Sequence, residues 1–216
     1  MTRGRPRYVH MALQTIVKIS NVTNLSDARY CAGMGVDMLG FSMDESSPDY
    51  VEPARFNEIR GWLAGVQIVG ETAEIDQERI RERLETYAPD MLQVDEPALL
   101  PALSLLGKPL ILRLNLVDLT LDQLDALIDS NPVDADYILL ESGAPLHLDD
   151  DISLAIGRLA SRHAVLLGVG ITAETVHNRL AQWPIKGIAL TGGPEDRPGS
   201  REFGELMDIL ESLEID

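Results

Sequence analysis

One cysteine, three phenylalanines and two tryptophans are all that 216 residues hold of those types. With Cys31 alone, no intrachain disulfide can form, and a cytoplasmic location is the default expectation. The four histidines (His10, His147, His163 and His177) form no i,i+4 pair and no Cys/His cluster. A metal centre is therefore not expected, and no motif asks for a cofactor. No apolar run approaches the roughly 18–20 residues of a membrane span, so no membrane partner is expected. Basic residues are also scarce: 18 Lys and Arg stand against 35 Asp and Glu, a formal charge of −17. That field repels polyanions and argues against nucleic acid as a partner. It says little about a small anionic ligand, which answers to local donors. The opening MTRGRPRYVHMAL is basic but lacks an apolar segment, so it does not read as a signal peptide. Residues 1–15 read as an N-terminal arm, and 16–216 as one domain.

What the chain does contain is an alternation. Short apolar runs, many β-branched or leucine-rich, are each followed by a longer segment with helical spacing. The runs are Ile16–Ser20, Asp37–Met43, Val66–Gly70, Met91–Val94, Pro109–Leu114, Asp136–Glu141, Ala164–Gly168 and Gly187–Leu190. Helices are expected near Asp27–Met34, Pro53–Ala64, Ala73–Tyr87, Ala98–Leu106, Leu121–Asp129, Asp151–Arg162, Ala173–Gln182 and Arg201–Leu213. The last carries the stripe Phe203, Leu206, Met207, Leu210, Leu213, and the second carries Phe56, Ile59, Trp62, Leu63. Ser26, Thr120 and Thr172 stand where helix N-caps are wanted. The strands are too short and apolar for a one-sided antiparallel sheet and suit parallel strands covered by helices. Eight units of about 27 residues each fit an α/β fold of the TIM (β/α)8 barrel type, in which closure removes exposed edges. An open doubly wound sheet is the rival.

A barrel works at the C-terminal ends of its strands. In order, the strands deliver Lys18, Ser20 and Asn21; Met43 and Asp44; Gly70 and Glu71; Gln93 and Asp95; Arg113 and Asn115; Glu141 and Ser142; Gly168 and Gly170; and Thr191, Gly192 and Gly193. The glycines of LLGVGITAETV and IALTGGPEDRPG follow the seventh and eighth strands. Loops at those two places commonly bind phosphate, through backbone N–H groups that glycine leaves accessible. Either pair alone would read as a tight turn, but together they point to a small phosphorylated ligand. Alternation puts Lys18 and Ser20 on one strand face. A buried lysine needs a partner, and Glu141 is the expected one, either as a structural ion pair or as an acid/base pair around a ligand. Cys31, among Ala28, Tyr30 and Ala32, reads as a buried thiol.

The segment VKISNVTNLSDARYCAGMGVDMLGFSMDESSPDYV resembles the opening of the phosphoribosylanthranilate isomerase family of tryptophan biosynthesis. That family begins with a Val-Lys-Ile-Cys-Gly-x-Thr strand and an Asp-Ala helix. Its second strand ends in Leu-Gly-Phe and leads into Ser-Pro-Arg-Tyr-Val. PDMLQVDE, DYILLES, LLGVGITAETV and GIALTGGPEDRPGSRE are similar to its fourth-strand, sixth-strand and two phosphate-binding segments, so the likeness runs from about Val17 to Ile209. The resemblance implies a single-domain barrel and an Amadori rearrangement of an aminoaldose phosphate, with a cysteine base, an aspartate acid and a loop arginine on the substrate.

Those positions hold Ser20, Glu141 and Asp49, and Asp95 replaces the fourth-strand histidine. GAPLHLDDD stands where a Gly-Gly-Thr-Gly loop is expected. A thiol near pKa ~8.5 can be tuned into a base, whereas a serine hydroxyl needs its own activator. A shift of about 1 Å from the added methylene of Glu141 can cost roughly 100-fold. Asp49 reverses a charge that would face an anion. The implied site is Ser20, Glu141, Lys18 and Asp95 for chemistry, Gly168, Gly170, Thr191, Gly192 and Gly193 for phosphate, and Asn21, Asp49, Gln93 and Arg113 around the substrate. Three readings stay open. One is a phosphate-sugar barrel with altered or lost isomerisation. Another is an isomerase with a rearranged pair of Glu141 with Asp95 or Lys18. The third is a non-catalytic interaction protein. Monomer and homodimer are equally open.

Overall fold

All eight apolar runs form strands, and each strand hydrogen-bonds in parallel to the next. The computed structural model describes residues 12–129, 134–191, 195–197, 200–201 and 204–215. The strands are β1 (Ile16–Ser20), β2 (Met38–Ser42), β3 (Gln67–Thr72), β4 (Met91–Val94), β5 (Leu110–Asn115), β6 (Tyr137–Glu141), β7 (Val165–Leu167) and β8 (Gly187–Thr191). They close in sequence order into a barrel, with β1 paired to β8 from Ile16↔Gly187 to Ser20↔Thr191. Closure excludes the open-sheet alternative and leaves none of the eight as an edge. Two short strands, β9 (Glu195–Arg197) and β10 (Ser200–Arg201), pair antiparallel after β8.

Alternation along each strand sends one set of side chains inward. Met38, Val69, Met91, Ile111, Leu139, Leu166 and Ala189 form the apolar plug inside the barrel. Two residues further along each strand, the inward positions turn polar or small: Gly40, Glu71, Gln93, Arg113, Glu141, Gly168 and Thr191. β1 follows the same rule through Ile16, Lys18 and Ser20. The change from plug to polar layer along each strand places the site at the C-terminal mouth.

The opposite end is closed by a repeated device. Asp37, Asp90 and Asp136 each stand just before an even-numbered strand. Their carboxylates accept from the N–H of Val17, Ile68 and Leu110, on the strand before, at 2.8 Å each. These donors at strand starts would otherwise lack a partner.

The helices α1 (Leu25–Gly33), α2 (Pro53–Arg60), α3 (Gln77–Tyr87), α4 (Leu100–Leu103), α5 (Leu121–Asp129), α6 (Asp150–Arg162), α7 (Val176–Gln182) and α8 (Gly204–Ser212) cover the strands. Their apolar faces and the outward strand residues make the larger core, including an edge-to-face stack of Phe41, Phe56 and Tyr87 with centroids 5.3 and 5.2 Å apart.

Several local expectations are corrected. The α1 cap is Asn24, whose side chain accepts from Asp27 N–H, and Ser26 lies inside the helix. α2 stops at Arg60, so Trp62 leaves the apolar stripe; it is 65% exposed, with the Arg29 guanidinium 5.9 Å from its ring centroid. The expected fourth helix is one α turn between two 3-10 turns, in a segment carrying Pro97 and Pro101. α7 begins at Val176, because Thr172 and Thr175 exchange hydrogen bonds in a turn before it. Leu206 and Leu210 of α8, with Leu213 just after it, line the buried side, while Met207 is exposed and Ile209 is buried in its place. Phe203 lies outside the described residues. Thr120 does cap α5, with Gln123 reciprocating onto Thr120 N–H. Of the N-terminal arm, residues 1–11 lie outside the described set. The remainder pairs with the C-terminal end through Leu13 and Glu214.

Candidate active site

Lys18 is fully buried at the centre of the inner polar layer. Its ammonium forms an ion pair with Glu71 and donates to Ser20 Oγ at 2.7 Å. The partner is thus Glu71 on β3, a correction to the expected pairing with Glu141. The two side chains meet across β2 because Gly40 leaves room there. A Cβ at Gly40 would overlap the Glu71 carboxylate and lie 3.0 Å from Lys18 Nζ. The second Glu71 oxygen accepts from Asn21 N–H at 3.1 Å. Asn21 holds a left-handed backbone, φ 56°, which asparagine tolerates better than most side chains. Its position is the glycine of the resembled first-strand motif.

Glu141 is connected through Ser20, whose hydroxyl donates to Glu141 Oε1 at 3.3 Å. Lys18, Ser20 and Glu141 therefore form a chain. Burial raises the Glu141 carboxyl above the usual carboxylate range, with nearby Glu71 adding to the effect and Lys18 and Arg113 opposing it. Arg113 makes a two-point contact with Asp95, including Nε to Oδ1 at 2.8 Å, and its Nη1 lies 3.8 Å from Glu141 Oε2. Gly168 is where Glu141 needs space, since a Cβ there would sit 3.0 Å from Glu141 Cγ.

Two neighbouring cavities open at the mouth, both touching Arg113. One, of about 180 Å³, is lined by Arg113, Asn115, Glu141, Ser142, Gly143, Gly168 and Thr191. The other, also about 180 Å³, runs over Ser42, Asp44, Glu71, Gln93 and Asp95 toward the β2–α2 loop. Ser20, Lys18, Glu141, Asp95, Arg113, Gln93 and Asn21 are thus gathered in one region, with Gly168 and Thr191 on its β7–β8 side. Gly170 lies beyond them with φ 63°, and its carbonyl accepts from Thr175 Oγ1 at 2.8 Å. Gly192 and Gly193 lie outside the described residues. Asp49 is half-buried in the β2–α2 loop, its N–H bonded to Ser47 Oγ at 3.2 Å, and it lines neither cavity. Met43 and Gly70 face outward into the helix layer, against each other. Glu71 was the residue whose role the sequence reading missed. A carboxylate breaking the apolar run QIVGET, as Lys18 breaks IVKIS, was the available signal.

Asp44 is held in a separate network. It accepts from Thr72 Oγ1 at 2.6 Å and Ala73 N–H at 2.7 Å, and pairs with Arg83 at 2.6 Å. Gln93 is 3% exposed, and among the described residues its Oε1 has no hydrogen-bond partner. Among the described residues no cluster of three metal-ligating side chains occurs, and no helix is long and apolar enough to cross a membrane.

No protein-family model matches the chain. Curated relatives do, over most of their length. The N-(5'-phosphoribosyl)anthranilate isomerase of Nitrobacter winogradskyi is 26% identical over 213 residues, covering 92% of each chain. That of Thermosynechococcus vestitus is 29% identical over 211 residues, covering 92% of this chain and 90% of its own. The chain is similar to the phosphoribosylanthranilate isomerases over most of its length. Solved phosphoribosylanthranilate isomerases share the fold. The Thermus thermophilus structure superposes with TM-score 0.73 at 22% identity, covering 92% of this chain and 98% of the other. A phosphoribosylanthranilate isomerase bound to reduced 1-(o-carboxyphenylamino)-1-deoxyribulose 5-phosphate gives 0.75 at 20% identity, with the same coverage.

Proposed function

We propose that this chain binds a phosphorylated, sugar-type ligand at the barrel mouth and that the isomerisation of its relatives is altered or lost. The observation that carries the reading is Glu141. It is a largely buried carboxyl, held toward its protonated form and facing a cavity beside Gly168. A carboxyl that holds its proton more tightly than usual is suited to give it to a ring or hydroxyl oxygen. The β7–β8 side, with Gly168, Gly170, Gly192 and Gly193 in sequence, is where phosphate would sit. A relative's structure holding a phosphorylated analogue supports this ligand class.

The base is where the relatives' chemistry is weakened. Ser20 Oγ receives a hydrogen bond from the Lys18 ammonium and gives its own proton toward Glu141. A cation donating to an oxygen lowers its basicity, so Ser20 is a relay and not a proton acceptor from carbon. The alternative pair of Glu141 with Asp95 or Lys18 is less well served. Arg113 occupies both oxygens of Asp95, and Lys18 is buried beneath Ser20, committed to Glu71.

Two measurements test this. Calorimetric titration with ribose 5-phosphate and with inorganic phosphate should show binding; absence of both sinks the ligand assignment. The loss of phosphoribosylanthranilate fluorescence should be undetectable or far slower than for an ordinary isomerase. Full turnover, abolished by Glu141→Gln, would replace this reading with the active-isomerase one.

A further inference from the structure

Arg179 on α7 is a cation without an anion. Arg60 pairs with Asp90, Arg83 with Asp44, Arg113 with Asp95 and Arg158 with Asp125, but Arg179 makes no ion pair among the described residues. Carboxylates are abundant in a chain of net charge −17, so the lack is one of placement and not of supply. The side chain is partly buried, and its Nε is shut off from solvent with no hydrogen-bond partner among the described residues. A guanidinium held in this way costs stability until an anion joins it.

Its orientation is fixed. The guanidinium carbon lies 5.1 Å from the centroid of the buried Trp183 ring, and Nη1 donates to Gln182 Oε1 at 3.1 Å. Nη2 has no partner among the described residues and sits against the turn after β7, where a Cβ on Gly170 would lie 3.6 Å from it. The missing side chain lets the cation come this close to the turn. Gly170 is exposed, and the N–H groups of Gly170 and Ile171 donate no hydrogen bond among the described residues. Thr172 and Thr175 do not compete for an anion there, because they bond each other.

We propose that Arg179 supplies the positive charge for the ligand's phosphate, as a guanidinium fixed behind the Gly170–Ile171 turn that acts on an anion seated at the turn's amides. The inference rests on the phosphate-sugar reading and adds the side chain that sets its affinity. The anion offsets the buried charge, and the stack on Trp183 keeps the guanidinium in place before the ligand arrives. Arg179 acts through its field, so its effect follows charge and is screened by salt.

Calorimetry on the full chain tests this, with ribose 5-phosphate and inorganic phosphate as probes. Arg179→Met keeps the length and removes the charge, and should weaken both probes by about tenfold at low salt. Arg179→Lys should restore most of that loss. Raising the salt to roughly 0.5 M should narrow the gap between wild type and Arg179→Met. Unchanged binding by Arg179→Met overturns the inference and leaves the phosphate-sugar reading standing. A loss that lysine does not restore and salt does not narrow assigns Arg179 a packing role and also overturns it. Failure of the wild type to bind either probe overturns both.

Discussion

Lys18 on β1 and Glu71 on β3 form an ion pair across an intervening strand, in the space left by the missing side chain of Gly40. The pair is the floor of the candidate site. It holds Ser20 from below and, through the second oxygen of Glu71, fixes the backbone turn at Asn21.

Breaking that pair from one side should be expensive. Lys18→Met leaves the Glu71 carboxylate buried without its cation, a change of roughly 3–5 kcal/mol. Lys18→Met/Glu71→Leu removes both charges and should recover most of that loss. Urea unfolding of the single and double variants reads it; a double variant no more stable than the single would remove the pairing from the account.

Glu141 should make stability depend on pH in a defined direction. Its carboxyl is raised in the folded chain, chiefly by burial. The protonated form is therefore favoured by folding, and that stabilisation is complete below the ordinary glutamate value near ~4.3. It is lost as pH rises from there through the raised folded value. Glu141→Gln keeps the neutral shape, so its Tm should exceed the wild type's at neutral pH and converge with it near pH 4. A Gln variant that is less stable at neutral pH would contradict the assignment.

Gly168→Ala tests whether β7 gives way to Glu141. The new Cβ would lie 3.0 Å from both Glu141 Cγ and Leu140 O, tighter than ordinary contact. We expect a loss of about 1–3 kcal/mol in denaturant unfolding and a displaced Glu141 side chain in a crystal structure of the variant. Unchanged stability with Glu141 in place would show that the strand relaxes freely.

Cys31 should be inert in the native chain. It is fully buried, and burial pushes its thiol up to about 12. The thiolate that reacts with Ellman's reagent is then scarcely present at neutral pH. One thiol should titrate only after unfolding in guanidinium; rapid reaction of the folded protein would place Cys31 at the surface.

The barrel itself was legible in the chain because its signal is local and repeated. β1 and β4 carry the bounds read from their apolar runs, and α5 runs over its full expected length. Ends defined by capping were harder. Asn24 competes with Ser26 within two residues, and the chain offers nothing to say which will cap until the turn at Asn21 is set. Trp62 looked like core because it continued a helical stripe, but Gly61 caps the helix just before it.

For the site, alternation and strand polarity are properties of the sequence alone. They sufficed to send Lys18, Ser20, Gln93, Arg113 and Glu141 inward toward one end. Which charge meets which was decided by closure of the barrel, because strand spacing and the volume at Gly40 determine who reaches Lys18. Glu71 comes closest by crossing a residue with no side chain, while Glu141 is held off by Ser20. Pairing is a matter of distance in space, and distances between strands far apart in the chain exist only once the barrel has closed.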